Sequence, residues 1–256
     1  VLAANGFTVL LAQSDSPTPA ISYAVKHNRA IAGVMITASH NAPRYNGVKL
    51  KGAFGGSALP EQCRRVEVYI NDNEEQARGP NLMDFKKARE AKLIQKFNPL
   101  PAYFDHLRTL INTDTIADNP QRFVVDAMFG SGRGVIKSFL QGTGCEISEI
   151  RGEMNPGFGG VHPEPIAKNL GALASAISAG MGTFGVVTDG DADRIGAMDE
   201  RGTFVDPHKI MALSLKYLVE KRGWNGAVVR TVSTTRMIDR LAKRYGLKLY
   251  ETPVGF

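Results

Sequence analysis

The stretch "RFVVDAMFGSGRGVIKSFLQGTGCEISEI", residues 122–150, shows the pattern that decides the fold. Its first eight residues are mostly apolar and predict a buried strand, and "EISEI" at 146–150 predicts a second strand. Between them, the glycine-rich turn "GSGRG" leads into a helix-like segment that begins at Val135. A strand, a helix and a second strand in this order are typical of a parallel sheet covered by helices.

The same alternation continues on both sides of this stretch and predicts an α/β protein throughout. Further strands are predicted at 7–12, 30–36, 184–188, 227–232 and 247–251. Helices are predicted at 19–27, 60–70, 101–110, 171–179, 206–221 and 238–245. The charged segment 72–98 has helical spacing in "DFKKAREAKLIQKF", and we predict a solvated helix there.

The length of 256 residues is enough for more than one hydrophobic core. "NPLP" interrupts the helical pattern, and a new alternation of helix and strand begins near Phe204. We therefore predict successive α/β domains at 1–101, 102–203 and 204–256. The last β-α-β run has too few strands to close a core alone, so the third domain is expected to be incomplete. "VLAANG" at the start resembles the end of a helix, and "ETPVGF" follows a strand directly, so the chain is expected to be a fragment.

Composition excludes several classes of protein. The chain has 43% apolar and 22% charged residues, which is typical of globular rather than disordered proteins. The net charge of +6 suits an anionic substrate, but the basic residues are scattered, so no nucleic-acid partner is predicted. Cys63 and Cys145 are far apart and indicate neither a zinc site nor a disulfide framework, which favours the cytoplasm. Four glycines interrupt the longest uncharged stretch, 170–188, so no membrane span is predicted.

The acidic loop, residues 189–194 ("DGDADR"), follows a predicted strand and carries the most unusual side chains of the chain. Asp189, Asp191 and Asp193 occupy alternate positions, so their carboxylates can converge on one hard cation. An exposed acidic turn is one alternative, and a calcium-binding EF-hand loop is another. The EF-hand alternative is weak, because Glu200 stands at the twelfth position of the loop but Arg194 stands where glycine is required.

The serine loop, residues 37–43 ("TASHNAP"), also follows a predicted strand. Ser39 stands where α/β proteins present reactive groups, although a turn or helix-capping serine is the common alternative. His40 and Asn41 add polar groups that can bind an anion, and Lys49 follows an Asn-Gly turn that can return its ammonium to the same place. The chain contains neither a P-loop nor a G-x-S-x-G motif. "GSGRG" remains open as a nucleotide-binding turn or simply a tight connection.

A hydroxyl that can carry a phosphoryl group and three carboxylates that can hold Mg²⁺ indicate phosphoryl transfer, which depends mainly on positioning and charge neutralisation. At this point the chain resembles the α-D-phosphohexomutase family. "TASHN" with "YNGVK" is similar to the family's phosphoserine loop, and "DGDADR" is similar to its metal loop. "SPTPAISYAV", "HPEPIAKNL" and "ETPVGF" resemble further family landmarks, so the resemblance spans essentially the whole chain.

The resemblance implies a role for each site residue. Ser39 would carry the phosphate and would complete a Mg²⁺ site with Asp189, Asp191 and Asp193. Arg194 would lie beside that phosphate, and His40 and Lys49 match positions for proton transfer or phosphate contact, with the base left open. The positions implied to contact substrate are Asn41 and Gly255. The family pattern is Ser-His-Asn-Pro, whereas Ala42 precedes Pro43 here, so a small change of loop geometry is expected.

The implied reaction moves a phosphate between O1 and O6 of a hexose through a hexose 1,6-bisphosphate that reorients before Ser39 is phosphorylated again. The family uses four domains, so these residues alone are expected to show little or no mutase turnover, and the sugar and the oligomeric state stay open. The expected partner is a small phosphosugar, with no nucleic acid and no membrane. The alternatives are a phosphoglucosamine mutase, a non-catalytic homologue that binds metal or phosphosugar, and a metal-dependent phosphatase, which would normally use an aspartate nucleophile.

Overall fold

The computed structural model describes residues 1–254, and Gly255 and Phe256 lie outside the described residues. The prediction that Gly255 contacts substrate therefore stays a prediction. By their contacts the residues form two compact units. The first comprises Val1–Ala38 and Arg44–Thr113, and the second comprises Ser39–Pro43 and the chain from Asp114 onward.

The first unit contains two pairs of strands and four helices. The strands are β1 (Val9–Ala12), β2 (Ala32–Ile36), β3 (Val48–Gly52) and β4 (Ile94–Phe97). The helices are α1 (Thr18–His27), α2 (Pro60–Glu75), α3 (Phe85–Glu90) and α4 (Leu100–Leu110). β1 pairs in parallel with β4, and β2 pairs antiparallel with β3. Prolines in the first turns of α1, α2 and α4 favour helix starts there, because a missing N–H costs nothing at that position.

The prediction of one solvated helix over 72–98 is wrong. α2 ends at Glu75, α3 is only six residues long, and Ile94–Phe97 is a strand. Lys92 has a left-handed φ of 57°, and the Leu93 amide donates to the Ala88 carbonyl at 2.9 Å, which closes α3. Pairing with β1 then satisfies the backbone of the next residues, so a tertiary contact overrides the helical spacing of the sequence.

The second unit is built on a five-stranded mixed sheet with the order β6-β5-β7-β8-β9. The strands are β5 (Arg122–Asp126), β6 (Glu146–Ile150), β7 (Gly185–Thr188), β8 (Ile195–Met198) and β9 (Phe204–Val205). The α-helices that precede β9 are α5 (Thr113–Ala117), whose first residue still belongs to the first unit, α6 (Val135–Phe139) and α7 (Gly171–Ser178). The three predicted strands β5, β6 and β7 are parallel, whereas β8 and β9, which were not predicted, are antiparallel additions.

The core of the second unit lies between this sheet and α7. It consists of buried apolar side chains from β5, β7, β8 and α7 and from the residues beside them: Val124, Met128, Leu170, Leu173, Ala176, Ile177, Val187 and Met198. β5 is the central parallel strand, and four of its five residues are buried. This packing fixes the carboxyl ends of β5 and β7 at one edge of the sheet, where α/β proteins place their ligand sites.

The last part of the second unit contains α8 (Pro207–Glu220), β10 (Val228–Thr231), α9 (Met237–Arg244) and β11 (Leu249–Thr252). β10 and β11 form a parallel pair, which confirms the predicted β-α-β run and its small number of strands. The Arg230 guanidinium donates to Asp239 at 2.7 and 2.8 Å and ties α9 to β10. Within residues 1–254, the helices are too short or too polar to cross a membrane.

Candidate active site

The acidic loop connects β7 to the antiparallel strand β8. Thr188 pairs with Ile195 in the sheet, and the Asp189 amide donates to the Arg194 carbonyl at 3.3 Å, so both ends of the loop are held together. Ala192 takes a left-handed φ of 53°, which turns the chain between the second and third aspartates. One oxygen of each aspartate lies within 4.8 Å of the others, as their alternate spacing predicts.

Asp189 is held by several hydrogen bonds from the acidic loop. It is fully buried, and one oxygen accepts the backbone N–H groups of Asp193 and Arg194 at 3.0 and 3.1 Å. Its other oxygen accepts Nε of Arg194 at 2.9 Å. Burial raises the pKa of Asp189, the hydrogen bonds from Arg194 oppose that shift, and the charges of Asp191 and Asp193 add to it.

The donor set fits a hard divalent cation. Asp189 and Asp191 are buried, whereas Asp193 is exposed, so the cluster reaches the protein surface. Carboxylate oxygens are the ligands that Mg²⁺ prefers, and a divalent cation would offset the repulsion among three neighbouring carboxylates. The EF-hand alternative is wrong, because this loop joins two strands whereas an EF-hand loop joins two helices.

The "GSGRG" turn packs directly against the backbone of the acidic loop. A Cβ at Gly130 would lie 2.7 Å from the Gly190 carbonyl oxygen and 2.9 Å from that of Asp189. A Cβ at Gly132 would lie 2.7 Å from Oγ1 of Thr188. The Ser131 amide donates to the Gly190 carbonyl at 2.9 Å. Of the two interpretations of this turn, the structure therefore favours the tight connection, with its glycines supporting the acidic loop.

The serine loop places its hydroxyl beside the acidic loop. Oγ of Ser39 donates to Oδ1 of Asp191 at 3.3 Å, although the two residues are 152 positions apart in sequence. The Ser39 carbonyl comes so close to Gly190 that a Cβ there would overlap it. Ser39 itself has a left-handed φ of 55°, an uncommon conformation that clusters at functional sites.

Two cationic or donor side chains face one carboxylate near Ser39. Nε2 of His40 and Nη1 of Arg194 each lie 3.9 Å from Oε1 of Glu164. Nδ1 of His40 and Nη2 of Arg194 are buried and have no hydrogen-bond partner within the part of the chain that the structure describes. Unsatisfied buried polar atoms are costly. Nη2 of Arg194 can only donate, so it favours an anionic ligand, and Nδ1 of His40 can donate to the same ligand in the tautomer that carries its proton there. Glu164 was not predicted as a site residue, and the only signal for it was the "HPEP" landmark.

The structure also gives the positions of the two remaining predicted site residues. Lys49 is half-buried on β3, opposite Met35, in the first compact unit. Asn41 is exposed in the serine loop, two residues after Ser39. The roles predicted for Lys49 and Asn41 stay predictions.

Comparison with known protein families gives three consecutive matches along the chain. Residues 1–77 match phosphoglucomutase/phosphomannomutase, alpha/beta/alpha domain I. Residues 101–202 match domain II of the same description, and residues 206–256 match domain III. The matched domain II contains the acidic loop, and the matched domain I contains the serine loop.

Individual relatives agree with these matches. A phosphoglucomutase/phosphomannomutase of Thermococcus kodakarensis is 32% identical over 242 residues, which are 94% of this chain and 51% of the relative. A phosphopentomutase of the same organism is also 32% identical, over 93% of this chain and 50% of the relative. Phosphoglucosamine mutases of archaea match at similar identity, among them one from Methanococcus maripaludis at 31%. The chain thus spans about half the length of the curated relatives it matches.

A solved structure from Thermus thermophilus, described as a phosphomannomutase, superimposes with a TM-score of 0.85 at 34% identity. It covers 99% of this chain, and this chain covers 56% of it.

Proposed function

Because the chain belongs to the phosphoglucomutase/phosphomannomutase family, we propose that Ser39 and the acidic loop form the phosphoryl-transfer site of a phosphosugar mutase. The observation that carries this proposal is the 3.3 Å contact between Oγ of Ser39 and Oδ1 of Asp191. A serine that only capped a turn would gain nothing from lying beside a cluster of three carboxylates.

The proposed reaction uses Ser39 as a carrier of one phosphoryl group. The bond between phosphorus and Oγ of Ser39 breaks as a bond forms to a hydroxyl of the sugar phosphate, whose proton passes to a base. The resulting sugar bisphosphate then returns its other phosphoryl group to Ser39, so the enzyme is regenerated and the phosphate has changed position. For a hexose this exchange joins the 1-phosphate and the 6-phosphate through the 1,6-bisphosphate.

Asp189, Asp191 and Asp193, with Oγ of Ser39, would hold Mg²⁺. When bound, the ion would neutralise the carboxylates and the incoming phosphate charge, which is the largest contribution to phosphoryl transfer. Arg194 and His40 would contact the transferred group through Nη2 and Nδ1, the buried nitrogen atoms that lack a partner within residues 1–254. The base is assigned to His40 or Lys49, as the family resemblance implies.

The proposed substrate is a small phosphosugar. Relatives at 31–32% identity include enzymes named for glucose or mannose, pentose and glucosamine phosphates, so the proposal extends to the class and not to one sugar. The two cysteines are free, which is consistent with a reaction in the reducing cytoplasm. We further propose that these 256 residues alone have little or no mutase turnover, because the relatives they match are about twice as long. Robust interconversion of glucose 1-phosphate and 6-phosphate would contradict that part.

The test is intact mass and peptide mapping after incubation with glucose 1,6-bisphosphate and Mg²⁺. We expect one added phosphoryl group on Ser39, which disappears in Ser39→Ala and persists in Ser138→Ala, a control serine exposed on α6. Omitting Mg²⁺ should reduce the incorporation strongly. Incorporation that is absent from the wild type, or that survives in Ser39→Ala, would overturn the proposal and favour a binding protein without transfer.

A further inference from the structure

The segment 162–169, "HPEPIAKN", lies against the candidate site, and the proposed reaction assigns no role to it. Its Glu164 is the acid that both His40 and Arg194 approach at 3.9 Å. We infer that Glu164 is a positioning residue that holds His40 and Arg194 on the same side of Ser39. This inference rests on the proposed phosphoryl-transfer site.

The backbone of Glu164 is fixed on both sides. The Pro163 carbonyl accepts the Gly190 amide at 3.1 Å, and the Pro163 ring is fully buried. The Glu164 carbonyl accepts Nδ2 of Asn169 at 2.9 Å and the amide of Ile166 at 2.8 Å. The Glu164 side chain therefore starts from an anchored position, directly next to the residue that contacts the acidic loop.

A buried ion pair between Asp126 and Arg151 contacts the end of this segment. Asp126, at the carboxyl end of β5, is fully buried and accepts two hydrogen bonds from the guanidinium of Arg151. Nη2 of Arg151 also donates to the Asn169 carbonyl at 3.3 Å. Side chains that orient a functional group commonly form such a second layer, and site geometry loosens when that layer is lost.

The distances indicate that Glu164 orients the side chains of His40 and Arg194 and contributes little to the stability of the fold. At 3.9 Å its contacts with His40 and Arg194 are too long for hydrogen bonds, and the Glu164 side chain is 27% exposed. Partly exposed ion pairs contribute little to stability. Nε of Arg194 is already held by Asp189 at 2.9 Å, so Glu164 constrains the other end of the same guanidinium.

The experiment compares Glu164→Gln, which removes the charge, with Glu164→Asp, which keeps it on a shorter side chain. Glu153→Gln is the control, because Glu153 is exposed in the same compact unit. The first measurement is the NMR signals of the His40 ring and of the Arg194 Nε–H, assigned with His40 and Arg194 variants. The second is the rate at which Ser39 is phosphorylated by glucose 1,6-bisphosphate, together with the unfolding midpoint in urea.

We expect the His40 and Arg194 signals to shift in Glu164→Gln, less in Glu164→Asp and not in the control. We expect the phosphorylation rate to fall by about tenfold or more in Glu164→Gln at an unchanged unfolding midpoint, and to recover partly in Glu164→Asp. Unchanged His40 and Arg194 signals in Glu164→Gln would overturn the inference, whatever the rate. If the wild type is never phosphorylated, the proposed function fails, and the NMR signals alone decide the role of Glu164.

Discussion

Replacing Gly130 by alanine should displace the acidic loop and weaken its affinity for Mg²⁺. The new Cβ would lie 2.7 Å from the Gly190 carbonyl oxygen, whereas ordinary contacts begin at 3.4 Å, so about 0.7 Å must be absorbed. The Asp189 carbonyl oxygen at 2.9 Å and Cα of Gly190 at 3.0 Å block the neighbouring directions. All three obstacles are backbone atoms, so no side-chain rotation can relieve the overlap.

Two magnitudes follow from this overlap. Overpacking of this kind typically costs about 1–3 kcal/mol of stability. Gly130 has a φ that other residues adopt, so alanine also gains about 0.4–1 kcal/mol by restricting the unfolded chain. The net loss expected is therefore about 0–2.6 kcal/mol, and about 1.3 kcal/mol at the middle of the two ranges. Metal sites need placement within about 0.5 Å, so the Mg²⁺ affinity should fall by about 10-fold or more.

Urea unfolding and calorimetric titration with Mg²⁺ measure both effects. The matched control is Gly171→Ala at the start of α7, where a Cβ would meet no atom within 4 Å. That control should gain up to about 1 kcal/mol, because alanine favours a helix over glycine, and it should leave the Mg²⁺ affinity unchanged. The reasoning fails if Gly130→Ala behaves like Gly171→Ala in both measurements.

Three further predictions concern the charged groups of the second unit. Asp191→Asn should weaken Mg²⁺ binding in a calorimetric titration. It should leave the free energy of unfolding of the metal-free protein unchanged or higher, because one of three neighbouring negative charges is removed. A variant that is destabilised but still binds Mg²⁺ as the wild type does would contradict this. Because burial raises the pKa of Asp189, the metal-free protein should lose part of its stability as the pH rises from about 4 through that raised pKa. Mg²⁺ should restore the stability that is lost over this pH range, and Asp189→Asn should not show this loss. A series of urea unfolding curves at different pH values tests both statements. Arg151→Ala should cost about 3–5 kcal/mol in urea unfolding, because Asp126 would keep a buried, unpaired charge, and a loss below about 1 kcal/mol would show that Asp126 is otherwise satisfied.

Much of the fold follows from local patterns in the sequence. β5 and β7 belong to mostly apolar runs next to turns that contain glycine, and the structure confirms both strands. β4 and β3 were not predicted, since each is a short run with lysine or glutamine inside it. Their strand conformation depends on pairing with β1 and β2, and a pairing partner 85 positions away, as between Val9 and Ile94, leaves no local signal.

In the candidate site, too, local patterns predicted features that depend on one short stretch of sequence, and they did not predict features that depend on distant contacts. The alternate spacing of Asp189, Asp191 and Asp193 predicts their convergence, because it depends on one short loop. The chemistry of phosphoryl transfer and the family resemblance both predicted that Ser39 and the acidic loop act together, whereas no local pattern joins residues so far apart. Glu164 and Gly130 were missed as parts of the site for a related reason. Each acts through a close approach of two loops, and neither loop alone shows that approach.

The hairpin that carries the acidic loop also limits which sequence lengths this site can tolerate. Thr188 and Ile195 are paired in the sheet, so six residues must cover the distance between two fixed points. If a residue were inserted or deleted, β7 and β8 could stay paired only if the loop turned in a different way. The aspartates on the two sides of the change would then point in opposite directions and could no longer converge. A substitution at Gly190 would also require a backbone shift, because a Cβ there would overlap the Ser39 carbonyl. A change of length goes further, because it displaces every loop residue that follows it. We therefore expect the number of residues between β7 and β8 to vary less among functional relatives than the residues themselves.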